Sequence, residues 1–315
     1  MLEGLHHVTA VTADAPRNVE FYARTLGLRL VKKTVNFDQP DVYHLYYADE
    51  VGTPGSVMTF FEFPGAQPGR HGDGMVHTVQ WRVGSADAIA FWTQRLGALV
   101  SEADERFVAF SDPEGLRHEL VAVDVDDAPL VAHADDVPAE FALRGLEGVR
   151  AYAGDAGRSA ALLERLGFVA EATDAPDAPS GTLTGTGATW TARGAERHAR
   201  YRYEPSPGPG VPGAGTIHHV AWSVADDAEL EQFRQLAGGA GARPTPIIDR
   251  QYFHSVYFRE PSGVLFELAS RDVGFDIDEP RESLGSALKL PARHEAQRAR
   301  IEPVLTPIVN PRQVA

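Results

Sequence analysis

Leu5-His6-His7-Val8 opens a stretch of the chain that returns three more times, and this repeat decides the fold. The later copies are Val76-His77-Thr78-Val79, Leu146-Glu147-Gly148-Val149 and Ile217-His218-His219-Val220. Their first residues are 71, 70 and 71 positions apart. A constant spacing of this kind indicates duplicated structural units. Comparing the copies therefore separates residues that every unit needs for folding from residues that only some units keep.

Each copy begins an alternating apolar run that predicts a half-buried strand, as at Val220, Trp222 and Val224. A residue able to cap a helix follows at a constant offset in the four units, namely Asp14, Ser85, Asp155 and Asp226. Apolar residues at helical spacing come next, and each helix is predicted to end before a glycine, namely Gly27, Gly97, Gly167 and Gly238. Strand-like segments complete each unit, which predicts a βαβββ module.

We therefore expect an α+β protein whose four βαβββ modules form two paired-module domains with curved mixed sheets. The N-terminal domain is expected to span 1–138 and the C-terminal domain 139–275, with two modules in each. The tail 276–315 leaves the repeat, and a short helix is expected over 295–301, so that the tail is a candidate cover for a pocket. The third module is the least regular, because a stretch rich in Pro, Gly, Ala and Asp over 174–187 obscures its strands.

Bulk composition narrows the function classes. The 315 residues are 43% hydrophobic and 23% charged, which is typical of a globular protein. A net charge of −15 disfavours nucleic acid and anionic membranes as partners, because both would repel the surface. There is no cysteine, so a metal ion must be held by His, Asp or Glu. A small-molecule substrate is the expected partner, and homo-oligomer formation is left open.

The N-terminal sequence contains no basic and then apolar leader. Elsewhere, apolar runs fall short of the roughly 18 residues that a membrane span needs. On this basis we expect a cytoplasmic protein.

Superposing the modules shows which polar residues the repeat does not require. The opening position holds His7, Thr78, Gly148 and His219. Aligning the closing strands on their preceding proline turns places Phe60, Glu119 and Glu267 at a second position. The fourth module has both a histidine and a glutamate, and the first has only the histidine. Since the fold tolerates other residues at both positions, these groups are candidates for chemistry.

If modules one and four face each other, His7, His219 and Glu267 converge. Two imidazoles and one carboxylate form the facial triad of non-haem iron(II) sites, which leaves positions open for substrate and dioxygen. The first domain would then supply one ligand and the second domain two. Glu119 has no histidine in its own module, and we predict a structural or solvent-exposed role for it. Phe60, an aromatic residue at the fourth-ligand position, is expected to leave the site open.

At these residues the chain resembles the vicinal oxygen chelate superfamily, which includes glyoxalase I, bleomycin-resistance proteins and type I extradiol dioxygenases. More specifically, it resembles the hydroquinone-cleaving ring dioxygenases, which open para-dihydroxylated and chlorinated rings. The segments that carry the resemblance extend over nearly the whole chain: Leu5 to Thr9, Tyr43 to Gly55, Ile217 to His219, Arg250 to Phe253, Gly263 to Glu267 and Ser283 to Gly285.

The resemblance implies a site and a reaction. It implies Fe(II) held by His7, His219 and Glu267, with Mn(II) or another divalent ion as the alternative metal. It further implies His6, His218, Arg250 and Tyr257 as catalytic residues and Thr9 as part of the substrate pocket. The implied reaction inserts O2 into a small hydroquinone-type aromatic substrate, with the pocket residues moving protons and stabilising negative charge.

Three other interpretations stay open at this point. A glyoxalase-like isomerase or epimerase would favour four protein ligands with zinc or nickel, and Phe60 at the fourth position disfavours it. A bleomycin-resistance-type binding protein would need no metal triad. A catechol-type extradiol dioxygenase would take all its ligands from the C-terminal half, whereas His7 belongs to the first module.

Overall fold

The computed structural model describes residues 1–171 and 187–311, and four βαβββ modules follow one another along them. The first module consists of β1 (Leu5–Thr12), α1 (Ala15–Val19, continued by a π-helical turn over Glu20–Thr25), β2 (Arg29–Val35), β3 (Tyr43–Ala48) and β4 (Val57–Glu62). The second consists of β5 (Met75–Val83), α2 (Ala86–Leu96), β6 (Val100–Ala103), β7 (Phe107–Ser111) and β8 (Arg117–Ala122).

The third module consists of β9 (Leu146–Ala153), α3 (Ala160–Arg165), β10 (Val169–Ala170), β11 (Thr189–Arg193) and β12 (His198–Pro205). The fourth consists of β13 (Ile217–Val224), α4 (Asp227–Gly239), β14 (Ile248–Asp249), β15 (His254–Arg259) and β16 (Leu265–Ser270). In the tail, the predicted helix over 295–301 is instead two short helices, α5 (Ala292–Glu295) and α6 (Arg298–Ile301). Most of the irregular stretch 174–187 lies outside the described residues.

The helical segment of each module starts at its predicted cap, and in the third module this segment begins with a 3-10 turn over Ala156–Ser159 that leads into α3. The side chains of Asp14, Ser85, Asp155 and Asp226 accept hydrogen bonds from backbone N–H groups two or three residues on, at 3.0, 3.1, 3.0 and 3.0 Å. Gly238 differs from the prediction, because α4 continues through Gly239. Gly241, with φ of 90°, makes the left-handed turn after this helix instead.

The two sheets join modules that are not neighbours in the sequence. The first sheet has the order β14-β15-β16-β13-β1-β4-β3-β2 and combines modules four and one. The second has the order β10-β11-β12-β9-β5-β8-β7-β6 and combines modules three and two. The predicted α+β fold with paired modules and mixed sheets is confirmed. Each sheet draws one module from either half of the chain, and the division into domains at 138/139 stays a prediction.

An approximate twofold axis runs through the centre of the first sheet, where Val8 lies opposite Val220 in an antiparallel pair. The axis makes His7 equivalent to His219, as the repeat predicted. It also makes Thr9 equivalent to Ala221. The second sheet is arranged in the same way, with a central pair of valines from β5 and β9.

The register of the outer strands corrects one alignment. In β4 the partner of Thr9 is Thr59. In β16 the partner of Ala221 is Glu267. Thr59, and not Phe60, therefore stands at the position equivalent to Glu267. The prediction for Phe60 is wrong because the turn before β4 is one residue shorter than the turn before β16, and a one-residue shift moves a side chain to the other face of the sheet.

The apolar core lies between the helices and the sheets, and its largest members include Trp81, Trp92 and Trp222. Tyr22, in the π-helical turn after α1, links the first module to the second. Its hydroxyl lies 2.8 Å from His118 Nε2 and donates to Asp112 Oδ2 at 3.0 Å. Among the helices of the described ranges, none is both long enough and apolar enough to cross a lipid bilayer.

Candidate active site

His7 on β1, His219 on β13 and Glu267 on β16 meet at one side of the first sheet, and all three are buried. The Nε2 atoms of the two histidines lie 3.2 Å apart. Glu267 Oε2 lies 3.2 Å from His7 Nε2 and 2.8 Å from His219 Nε2. Within residues 1–171 and 187–311, this is the one group of three or more His, Asp or Glu residues whose ligand atoms all lie within 4.8 Å of one another. We call these residues the trio.

Hydrogen bonds determine which nitrogen of His7 is protonated. His6 Nε2 lies 3.2 Å from the carbonyl oxygen of Ser270, which can only accept, so His6 Nε2 carries the proton. His6 Nδ1, 3.0 Å from His7 Nδ1, is then the acceptor of a hydrogen bond from His7. His7 Nε2 is left with a lone pair, which is the state that a metal ligand requires.

A similar histidine pair occurs in the fourth module, where His218 Nδ1 lies 2.7 Å from His219 Nδ1; when His219 donates this hydrogen bond, its Nε2 is left with a lone pair. Burial, followed by the neighbouring histidine, lowers the pKa of His6 to about 3 and that of His218 to about 4. Burial also lowers the pKa of His219, although Glu267 opposes this. These three imidazoles are therefore neutral near neutral pH, and each ligand histidine is oriented by the neighbour that precedes it.

Glu267 is an ionised carboxylate in a buried place. Burial acts to raise its pKa, but protons carried by His7 and His219 toward the carboxylate outweigh burial and hold the pKa well below its usual value. In the metal-binding tautomer those protons are absent, and a cation takes their place. Ser255 Oγ donates to Glu267 Oε1 at 2.5 Å. The other oxygen, Oε2, makes no hydrogen bond of normal geometry with any described residue. A buried anionic oxygen facing two imidazole lone pairs needs a cation, so the donor set fits a divalent metal ion.

A cavity of about 480 Å³ opens beside the trio. Much of its wall is apolar and consists of Phe37, Phe61, Phe63, Ile248, Phe253 and Leu265. The volume and the aromatic lining suit a small aromatic ligand. His7 and His219 contribute to the same wall, so a small molecule in the cavity lies next to the metal-binding side of the trio.

Arg250 and Tyr257 form the charged side of the cavity. Arg250 Nε donates to Tyr257 Oη at 3.3 Å, and its Nη1 donates to Asp38 Oδ2 at 3.1 Å. Burial acts to lower the pKa of Arg250, but Tyr257 and Asp38 hold it above its usual value. Burial, followed by Glu267, raises the pKa of Tyr257. Tyr257 therefore keeps its proton and can donate a hydrogen bond to a ligand oxygen.

The structure places every site residue that the sequence predicted near the cavity. Some of them line the cavity, and others lie beneath its wall. His218, Arg250 and Tyr257 line the cavity. His6 lies beneath its wall between His7 and the backbone of Ser270. Thr9, predicted as a pocket residue, also lies beneath the wall, where it is fully buried and hydrogen-bonded to Thr59 at 2.9 Å.

Among the site residues that received no role from the sequence are Ser255, His44 and Tyr46. Ser255 orients the Glu267 carboxylate, and His44 and Tyr46 line the cavity on the side of the first module. The signal was available, because these residues lie on corresponding strands of modules four and one. Aligning the third strand of each module, in addition to the first and the last, would identify them.

The tail approaches the cavity from behind. Arg293 Nη2 donates to the carbonyl oxygen of Phe37 at 2.6 Å, and His294 Nε2 lies 3.0 Å from the same oxygen. Phe37 itself lines the cavity. The described part of the tail thus supports a loop of the cavity wall.

Paired βαβββ modules around a trio of this kind define the vicinal oxygen chelate class. The sequence profile of the Glyoxalase/Bleomycin resistance protein/Dioxygenase superfamily matches residues 4–120 and 74–268. The chain belongs to this superfamily, which confirms the resemblance found in the sequence.

Similar proteins extend over almost the full length. A Bacillus subtilis (strain 168) protein named "Putative ring-cleaving dioxygenase MhqO" is 35% identical over 321 residues, covering 96% of this chain and 96% of that protein. The "Chlorohydroquinone/hydroquinone 1,2-dioxygenase" of Sphingobium indicum is 32% identical over 320 residues, covering 92% of this chain and 91% of that protein. The crystal structure of a "putative dioxygenase" from Bacillus subtilis matches with a TM-score of 0.88 at 35% identity over 98% of each chain. Glyoxalase I from Zea mays, at 15% identity and a TM-score of 0.61, shares the fold.

Proposed function

We propose that this protein is an Fe(II)-dependent, extradiol-type ring-cleaving dioxygenase that opens hydroquinone-type aromatic rings with O2, chlorinated rings included. The convergence of His7, His219 and Glu267 beside an aromatic cavity carries this proposal. A threonine, Thr59, at the fourth-ligand position disfavours a four-ligand isomerase of the glyoxalase type. Relatives named as ring-cleaving and hydroquinone dioxygenases support the reaction class.

His7 Nε2, His219 Nε2 and Glu267 Oε2 would hold the metal, for which Mn(II) is the alternative. When bound, Fe(II) supplies Lewis acidity toward a ring hydroxyl, redox capacity toward O2 and open positions for both. The trio itself carries a single negative charge. The occupied site therefore keeps a positive charge that favours an ionised ring hydroxyl over a neutral one.

The remaining residues of the cavity bind the ring and manage its charge. Tyr257 donates a hydrogen bond to the ring oxygen held at the trio, because its raised pKa keeps it protonated. Arg250 polarises Tyr257 and stabilises negative charge that develops there. His218, at the cavity wall and neutral, accepts at Nδ1 from His219, so its Nε2–H is placed to donate a hydrogen bond to a ring oxygen. The apolar side of the cavity excludes water from the reacting ring.

The test is oxygen consumption by anaerobically purified, Fe(II)-reconstituted protein against a panel of hydroquinones and catechols. We expect uptake of one O2 for each ring opened with hydroquinones and much slower uptake with catechols. Absence of uptake with every hydroquinone would refute the proposal and would favour a ligand-binding protein of the same superfamily.

A further inference from the structure

Tyr46 on β3 and Tyr257 on β15 are equivalent about the twofold axis of the first sheet. Tyr46 pairs with Thr59, and Tyr257 pairs with Glu267. Since Thr59 and Glu267 correspond, the two tyrosines correspond as well. In the second sheet the same position holds Ala109 and Thr189. The module therefore folds without a tyrosine here, and only the two modules that provide the trio carry one.

The two tyrosines face one cavity from opposite walls. Five strand spacings, roughly 24 Å along the sheet, separate β15 from β3. Both side chains nevertheless line the same cavity, because the sheet curls around it. Burial first, and then Tyr257 and Glu267, raise the pKa of Tyr46 well above its usual value. Tyr46 is therefore protonated, and it lies close enough to the trio for the charge of Glu267 to affect its pKa.

Tyr46 is the cavity-facing end of a chain of hydrogen bonds that continues through His44 and Thr59 to Thr9. Its Oη lies 2.8 Å from His44 Nδ1, and His44 Nε2 lies 2.8 Å from Thr59 Oγ1. Thr59 Oγ1 in turn lies 2.9 Å from Thr9 Oγ1. When Tyr46 donates to Nδ1, His44 donates from Nε2 to Thr59, and Thr59 donates to Thr9. Every hydrogen of this chain then points inward, and Tyr46 Oη retains acceptor capacity on its cavity side.

We propose that Tyr46 receives the ring hydroxyl remote from the trio and that His44 relays its proton, so that this pair selects para-dihydroxylated over ortho-dihydroxylated rings. The inference rests on the proposed function and names the second anchor of its substrate. A hydroquinone carries oxygens at opposite ends of the ring. When one oxygen lies at the trio and Tyr257, the other points toward Tyr46. A catechol carries adjacent oxygens, which both lie at the trio.

The relay moves one proton and no electrons. As negative charge develops on the remote oxygen, its proton passes to Tyr46 Oη while the proton of Tyr46 passes to His44 Nδ1. His44 becomes an imidazolium, and the reverse transfers restore all three groups when the product forms. Burial holds the pKa of His44 well below its usual value, so the imidazole rests neutral and releases the proton again.

The test uses calorimetry to measure the dissociation constants of hydroquinone and phenol for the Zn(II)-loaded protein in the absence of oxygen. Phenol lacks the remote hydroxyl. We expect wild-type protein to bind hydroquinone about tenfold more tightly than phenol, as one hydrogen bond predicts. Tyr46→Phe should bring the two dissociation constants within about twofold of each other, chiefly by weakening hydroquinone. His44→Gln, as a second variant, should also reduce the ratio.

Tyr22→Phe is the matched control, because Tyr22 Oη lies 2.8 Å from His118 Nε2 in a similar tyrosine–histidine pair outside the cavity. It should keep the wild-type ratio. In turnover, His44→Ala should lower kcat about 10²-fold with KM within about threefold, and added imidazole should restore part of the rate.

The two proposals fail in different ways. If wild-type protein consumes no O2 with any hydroquinone, the proposed function is wrong. If wild-type protein turns hydroquinone over but Tyr46→Phe keeps the wild-type binding ratio, the role of Tyr46 alone is wrong. A kcat of His44→Ala equal to that of wild type, or unaffected by imidazole, would overturn the relay.

Discussion

Glu119 occupies in the second sheet the strand position that Glu267 occupies in the first. Its carboxylate, however, is bound by the guanidinium of Arg150 and accepts a hydrogen bond from Gln80 Nε2 at 2.8 Å. Thr78 stands where a ligand histidine would be. The same strand position therefore holds a candidate metal ligand in one sheet and one half of an ion pair in the other.

This difference predicts which carboxylate the metal needs. Glu267→Ala, His7→Ala and His219→Ala should each lower metal affinity by more than about 100-fold and abolish oxygen consumption, because each removes one of three donors. Glu119→Ala should leave both nearly intact. Metal content after anaerobic loading and dialysis measures the effect. Equal metal loss from Glu119→Ala would contradict the assignment of the site.

Ser255 should control the metal through Glu267. Its hydroxyl donates to Glu267 Oε1, so Ser255→Ala should lower metal affinity about 10- to 100-fold while the protein stays folded. Ser223 provides the control, because its buried hydroxyl has no hydrogen-bond partner among the described residues. Competition with a metal chelator measures both variants, and equal affinities would argue against the orienting role.

Substitutions of Gln251, which follows Arg250, should reveal backbone strain through their effect on stability. Its φ is 67°, a left-handed value that it alone adopts among the non-glycine residues of the described chain. Both Gln251→Gly and Gln251→Ala lose the hydrogen bond to Asp278 Oδ2. Only glycine relieves the strain, so the glycine variant should be more stable than the alanine variant by about 1 kcal/mol. Urea unfolding of the two variants gives the comparison, and equal stabilities would contradict it.

Lys32 should hold the tail in place. Its side chain is fully buried and pairs with Asp278 at 2.7 Å and Glu279 at 2.9 Å. Lys32→Met leaves both carboxylates without their cation and should lower the free energy of unfolding by about 4 kcal/mol. It should also speed tryptic cleavage in the tail. Arg281→Met, which breaks an exposed ion pair in the same tail, is the control and should change stability little.

Asp112 predicts a pH dependence of stability. Burial raises its pKa to about 6 from the model-peptide value of 3.8. The folded state therefore holds this proton more tightly than the unfolded state, so the contribution is fully present below pH 4 and is lost as pH rises through about 6. The difference in the free energy of unfolding between wild type and Asp112→Asn should therefore shift against wild type by about 3 kcal/mol as the pH rises from about 4 to above 6. Denaturant unfolding at several pH values measures it, and a flat difference would contradict it.

Local sequence signals predicted most of the fold. Asp14 and its three counterparts cap the helices as expected, because capping depends on a few neighbouring residues. The histidines of the trio were also found from the sequence, because duplicated modules at a constant spacing reveal which positions depart from the repeat. Gly238 was misplaced because the end of α4 depends on how far the helix packs against its sheet, and not on the nearest glycine.

The sequence by itself determined the four modules, their helix starts and the identities of the trio, since periodicity, capping and repetition are properties of short segments. Only the tertiary structure decided that module one pairs with module four, that Thr59 rather than Phe60 corresponds to Glu267, and that Tyr46 faces Tyr257. Pairing between strands more than 200 residues apart depends on the closure of the whole sheet. The register depends on single-residue differences in turn length, and neither is encoded in a local pattern.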